Sequence, residues 1–269
     1  MTDFHRLLRE LEALQPRLKM DARHSYRLDG KHVRNVTTIG RVVNKPQLND
    51  WMVRTSVEGV ARYCYSHPPI DGMDSEAAYV RYVSEAAAEQ YEHEKLSDEA
   101  KTLGKELHAC VEHYCKGKLG EPCEEPFVST KAAEMFKRWL GWAQDMKLTP
   151  LAVEKRVYHV TDNYTGTFDL LTMFRDRLAL LDWKTSTGTA VWPEHRYQSV
   201  AYRAALYSMG WDPMDGHVVK VPQEGPVEAT LLESGAEFDE LYQGFKAQLL
   251  LTEQLAALEK RSRKAKEKW

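Results

Sequence analysis

The sequence predicts an α/β fold: a central mixed β-sheet flanked by helices, with a mostly helical N-terminal lobe. Three observations carry this. Residues 178–184 (Leu-Ala-Leu-Leu-Asp-Trp-Lys) are apolar on both faces until their end, the pattern of a central strand covered on both sides. Residues 165–174 form a second apolar run, and only Arg175-Asp176-Arg177 separates the two, so they read as an antiparallel hairpin. Upstream, apolar residues recur mostly at helical intervals, interrupted by Pro16, Pro68-Pro69 and Asp71-Gly72.

The hairpin brings charge together. Side chains alternate along a strand, so Asp182 and Lys184 share a face, about 7 Å apart along the backbone. If Arg175 and Asp176 form a two-residue loop, Phe174 faces Arg177 and Asp169 falls opposite Asp182, at about 5 Å. A four-residue loop also keeps both carboxylates on one face, whereas a one-residue slip separates them. The turn lacks the glycine that such short loops prefer. Two carboxylates and a lysine at a buried strand end are costly unless compensated. A divalent cation is the simplest compensation, in a hard-oxygen site suited to Mg²⁺ or Mn²⁺. The lysine would then activate a water or stabilise charge on a phosphate. The competing reading is an Asp–Lys ion pair that only closes the strand end.

The other elements follow in chain order. Residues 3–15 predict a short amphipathic helix, and 25–34 a hairpin turning at Asp29-Gly30. Residues 36–39 lead into a helix over 47–66, with Leu48, Trp51, Met52, Thr55 and Val60 recurring on one side. Asp74 or Ser75 caps the next, ending near Lys95, and Ser97-Asp-Glu-Ala opens another that carries His108. Residues 129–147 form a helix with Ala133, Phe136, Trp139, Leu140 and Trp142 inward. Residues 151–161 form a strand bearing Glu154, which is a surface residue of an edge strand or, if it points inward, a further carboxylate just outside the metal's ligands. Thr185-Ser-Thr-Gly-Thr189 is a hydroxyl-rich loop suited to a phosphate or to a plain strand-to-helix turn. A helix over 194–209, strands over 215–221 and 227–232, and a last helix to about residue 259 complete the chain, with 260–269 a basic, frayed tail. This divides the chain into 1–96, a helical lobe with a hairpin, and 97–269, the core, packed as one compact unit.

Composition is that of a soluble globular protein of 269 residues. No apolar run approaches a membrane span, and the charged start lacks a signal-peptide core, so a cytoplasmic location without membrane contact is expected. The net charge of -3 excludes a globally basic nucleic-acid coat but not a local basic patch. Cys64, Cys110, Cys115 and Cys123 form no C-x-x-C pair.

As an ordered set, four motifs resemble the RecB-like branch of the PD-(D/E)XK nucleases. They are Gly104-Lys-Glu-Leu-His108, the G-x-x-D of Gly166 to Asp169, Asp182-Trp-Lys-Thr185, and Gln198-x-x-x-Tyr202. The set covers roughly residues 100 to 205. It departs from the superfamily's name in having Phe168 rather than Pro before Asp169, and Asp rather than Glu at 182. The resemblance implies a restriction-endonuclease-like core and metal-dependent hydrolysis of DNA phosphodiesters. It implies His108, Asp169, Asp182 and the Trp183 carbonyl as ligands of Mg²⁺ or Mn²⁺, with Lys184 positioning or deprotonating the attacking water. Gln198 and Tyr202 would face the site and the nucleic acid, with Thr185 at the loop. An exonuclease of recombination, repair or replication is expected, with DNA as partner and a recombination or single-strand-binding protein beside it; the rival readings are a structure-specific or restriction-like endonuclease on the same fold and a non-catalytic DNA-binding or assembly subunit. Relatives with an iron–sulfur cluster place three ligands after the core; no cysteine follows Cys123, so no cluster is expected. Phage-type relatives bind a terminal phosphate through a basic residue before the core, a role that Arg54 would fill here, beside Trp51.

Overall fold

The computed structural model describes residues 4–43, 45–68, 75–89, 92–185, 191–213, 215–233 and 235–266. The elements run α1 (Phe4–Leu14), β1 (Leu18–Met20), β2 (Tyr26–Leu28), β3 (Lys31–Asn35), α2 (Val36–Gly40), α3 (Pro46–Ser66), α4 (Glu76–Glu89) and α5 (Glu92–Leu119). Then follow α6 (Thr130–Asp145), β4 (Thr149–His159), β5 (Tyr164–Phe174), β6 (Arg177–Lys184), α7 (Pro193–Ser208), β7 (Asp215–Lys220), β8 (Glu228–Glu233) and α8 (Gly235–Lys266). The fold is α/β, with one mixed eight-stranded sheet among the described residues. The chain divides into two compact units, Met1–Val43 with Gly104–Trp269, and Asn44–Leu103. This corrects the expected break at residue 96. The N-terminal hairpin belongs to the sheet, because Arg34 and Asn35 of β3 pair in parallel with Tyr164 and Thr165 of β5.

Within the sheet, β1, β2 and β3 are antiparallel, β5 is antiparallel to both β4 and β6, β6 runs parallel to β7, and β7 is antiparallel to β8. Phe174 pairs with Arg177, so the two-residue loop is the one that forms. Its residues Arg175 and Asp176 have φ of 52° and 61°. Two successive left-handed residues match the twist of the flanking strands, which lets the turn form without glycine at a conformational cost. The Arg175 guanidinium lies over the Phe174 ring, 5.0 Å from its centroid.

Several elements differ from expectation. Residues 36–40 are themselves a short helix, because the Asn35 side chain accepts a hydrogen bond from Thr38 N at 2.8 Å. Ser97 lies inside α5 rather than at its start: the Glu92-to-Leu96 stretch is a good helix former and carries the helix through it. The buried side of α6 is Ala132, Met135, Trp139 and Ala143, while Ala133 is exposed and Phe136, Leu140 and Trp142 are half-buried. Residues 260–266 continue α8 instead of fraying, and 267–269 lie outside the described residues. In the smaller unit α3 packs on α4. Thr55 is buried there, but Leu48, Trp51 and Met52 are exposed, against the expected inward face.

Two layers of helix position the central strands. Residues 199–206 of α7 are all buried, and Ala201, Ala204 and Ala205 among them let the helix lie close to the sheet. Leu7 and Leu11 of α1, with Phe245 of α8, join the same core. Trp183, one residue from Asp182 and so on the alternate face, meets Trp139 and Trp142 of α6 edge-on at 5.3 and 6.4 Å between centroids. Burying an indole removes about 200 Å² from water, an upper estimate of roughly 5 kcal/mol. A buried ion pair ties α7 to β8: Arg203 Nη1 donates to Glu233 Oε1 at 2.8 Å, and Ser199 Oγ donates to the same oxygen at 3.0 Å. Gly216 leaves room for this knot, since a Cβ there would stand 1.9 Å from Ser199 Oγ. At the outer edge, the Gln15 amide donates to Arg156 O at 3.0 Å and accepts from Arg156 N at 3.0 Å, covering β4 as a neighbouring strand would.

Two outcomes follow from this architecture. Replacing Arg175-Asp176 by Asn-Gly should stabilise the protein by about 1 kcal/mol, seen as a higher urea midpoint at unchanged slope. His217 of β7 is buried, edge-on to Phe174, and its Nδ1 has no hydrogen-bond partner among the described residues. Burial pulls its pKa down to about 4, against the pull of Asp215. The folded protein therefore binds this proton less tightly than the unfolded chain, whose histidines titrate near ~6.5. The associated stability is present above that value and is lost as the pH falls from it towards 4, up to about 3 kcal/mol. Urea unfolding at neutral and mildly acid pH should show a smaller loss for His217→Leu than for the wild type.

Candidate metal centre at the parting of two strands

One edge of β5 has two occupants. β6 pairs with residues 170–174 and β3 with Tyr164 and Thr165. Residues 166–169, the Gly-Thr-Phe-Asp of the G-x-x-D motif, pair with neither. The Phe174–Arg177 register, carried onward, sets Asp169 opposite Asp182, but ladder pairing ends at Leu170 and Leu181. Beyond that point Asp169 Oδ2 accepts the hydrogen bond of Trp183 N at 2.8 Å, satisfying a donor that the departing strand leaves over. Thr167 Oγ1 shares a hydrogen bond with the Tyr26 hydroxyl of β2 at 2.9 Å. Gly166 faces Tyr202 of α7, where a Cβ would stand 2.5 Å from Tyr202 Cε1. The motif glycine is thus required by a close ring, not by its dihedral angles.

His108 reaches this gap from α5, whose Leu107, Val111 and Cys115 are buried. Its Nε2 lies 3.3 Å from the Trp183 carbonyl oxygen. Its Nδ1 lies 3.5 Å from Glu154 Oε1 and 3.8 Å from Asp169 Oδ2. His108, Glu154 and Asp169 each present a ligand atom within 4.8 Å of the others. One imidazole nitrogen with two carboxylate oxygens is a donor set of the kind that holds Mg²⁺ or Mn²⁺. The surface reading of Glu154 is corrected: among the described residues β4 has only β5 as a sheet neighbour, yet this carboxylate is half-buried beside His108.

Asp182 and Lys184 form a close pair, Nζ to Oδ2 at 2.5 Å. Asp182 lines a pocket with Asp169, Gln198, Ser199, Tyr202 and His217. Burial, then the Asp182 charge, pushes the Asp169 carboxyl up to about 7 against the pull of His108. Burial would lower the His108 imidazole, but Asp169, Glu154 and Asp182 outweigh it and raise it to about 9. Burial also opposes the Lys184 ammonium, yet Asp182 and Asp169 hold its pKa above the ordinary lysine value.

The remaining expected residues divide. Gln198 Nε2 donates to the Tyr202 hydroxyl at 3.3 Å, and both line the pocket. Thr185 Oγ1 lies 3.6 Å from where a Gly104 Cβ would be, an ordinary contact that places the loop start beside the first motif. Residues 186–190 of the expected phosphate loop lie outside the described residues. Arg54 is exposed on α3, in the unit that holds none of these site residues. Glu112 pairs with Lys116 at 2.6 Å, as a surface residue does. Cys110 and Cys115 are buried, and burial pushes the Cys115 thiol up to about 12.

Gly166→Ala should cost roughly 1–3 kcal/mol through the clash with Tyr202. In a Tyr202→Ala background the same substitution should cost almost nothing, a coupling that a double-mutant cycle in urea measures directly. Compared with known proteins, the chain matches no family model and no curated protein.

Proposed function

We propose that this protein is a metal-dependent deoxyribonuclease built on a restriction-endonuclease-like core, and that it digests DNA from its ends. The observation that carries the reading is the convergence of His108, Asp169, the Trp183 carbonyl and the Asp182–Lys184 pair where β3 and β6 part along β5. These are the positions that the motif set names, reached from three separate elements. A divalent cation held there by His108, Asp169, Asp182 and the Trp183 carbonyl would draw charge from the phosphate oxygens and acidify a bound water.

The chain's own groups divide the remaining work. His108 must give up its proton to act as a ligand, which the surrounding carboxylates resist until a cation replaces that charge. Lys184 stays protonated beside Asp182, so it serves as a hydrogen-bond donor that orients the water and neutralises the phosphate, rather than as a base. Tyr202 and Gln198 border the pocket and would touch the nucleotide next to the scissile bond. Thr185 and Arg54 would contact phosphates, Arg54 at the 5′ end of the strand. A recombination or single-strand-binding protein would present the DNA.

End-labelled linear DNA and a covalently closed circle, each incubated with Mg²⁺ or Mn²⁺, test the reading. Mononucleotides released from the linear DNA, with the circle left intact, are the expected result. A nicked circle makes the protein an endonuclease on the same fold, and no metal-dependent cleavage of either removes the nuclease reading. Asp182→Asn should lower cleavage by far more than about tenfold while the thermal midpoint stays close to the wild type, because the amide keeps the volume and loses the charge. DNA retention should persist or tighten in this variant.

A further inference from the structure

We infer that Glu154 is a direct ligand of the cation that His108 and Asp169 hold. This rests on the proposed metal-dependent reading and adds a residue that the motif set does not contain. The first support is register. β4 pairs with β5 as Pro150 to Thr172 and then, after a bulge, as Ala152 to Leu171. The extra residue shifts everything after it by one, so Val153 meets Leu170, Lys155 meets Phe168, and Glu154 falls opposite Asp169. Without the bulge Glu154 would stand opposite Phe168, and its carboxylate would leave the Asp169 face.

The second support is the backbone. Glu154 has φ of 48° in the interior of an eleven-residue strand. The other left-handed non-glycine residues among those described lie in turns or loops, outside every strand. This conformation costs a glutamate about 1–3 kcal/mol, and such strain persists at sites that use it.

The third support is spacing. A charged hydrogen bond to His108 would be about 2.7–2.9 Å long. The 3.5 and 3.8 Å from Nδ1 to the two carboxylates are too long for that and suit atoms that share an ion. Ligands about 2.1 Å from a small cation and at right angles to each other stand about 3 Å apart, and closing onto the ion needs only a small inward shift.

Mn²⁺ binding to the metal-stripped full-length chain, measured by calorimetry without DNA, tests the assignment. Glu154→Gln should weaken Mn²⁺ binding by roughly tenfold or more, while Glu112→Gln should leave it unchanged. Glu154→Gly, which accepts the left-handed backbone, should weaken binding as much without lowering the thermal midpoint of the metal-free protein. Wild-type affinity in folded Gln and Gly variants overturns the inference alone and leaves the nuclease reading standing. A wild-type chain that binds no Mn²⁺ overturns both.

Discussion

A β-strand has two edges, and β5 lends one of them to two partners in succession. Where β6 leaves and β3 has yet to begin, the 166–169 stretch runs along β4 on one side and has no strand partner on the other among the described residues. Side chains occupy that gap: Asp169 takes the Trp183 amide, and the Tyr26 hydroxyl meets the Thr167 hydroxyl. A carboxylate recruited to satisfy a backbone donor is also fixed in place. The opening admits His108 from α5, so the same gap that costs ladder hydrogen bonds creates a desolvated recess between polar groups.

The neighbouring layers keep that recess from collapsing. The alternation of β6 sends Trp183 into the indoles of α6 and leaves Asp182 on the other face, where Tyr202 of α7 lines its pocket. Tyr202 can come so close only because residue 166 has no side chain. The helix that carries it lies close to the sheet through its alanines and is tied to β8 by the Arg203–Glu233 pair.

Much of this was legible in the chain. The doubly apolar run ending in Asp-Trp-Lys identifies a central strand, and alternation alone places Asp182 and Lys184 together. The two-residue loop was one of two readings that kept the carboxylates on one face, and its left-handed arginine and aspartate carry no glycine signature. Which face Glu154 takes was not legible, because a bulge within Leu-Ala-Val leaves no mark on an apolar run and decides that face by one residue. β1 was missed because three residues after a proline show no period. The exposed apolar side of α3 was misread because periodicity reports amphipathicity, not what covers it. The α5 start was misread because a Ser-Asp-Glu sequence resembles a cap wherever it occurs.

Gln15 has a consequence for how the molecules meet one another. An edge strand such as β4 offers its backbone to any extended segment, including the same strand of another molecule. By engaging both groups of Arg156, one amide side chain in the turn just after α1 covers a site where such stacking would begin. The α1 segment thereby serves colloidal behaviour as well as the core: its leucines hold the helix down, and the glutamine that follows it closes the sheet against growth by self-templating.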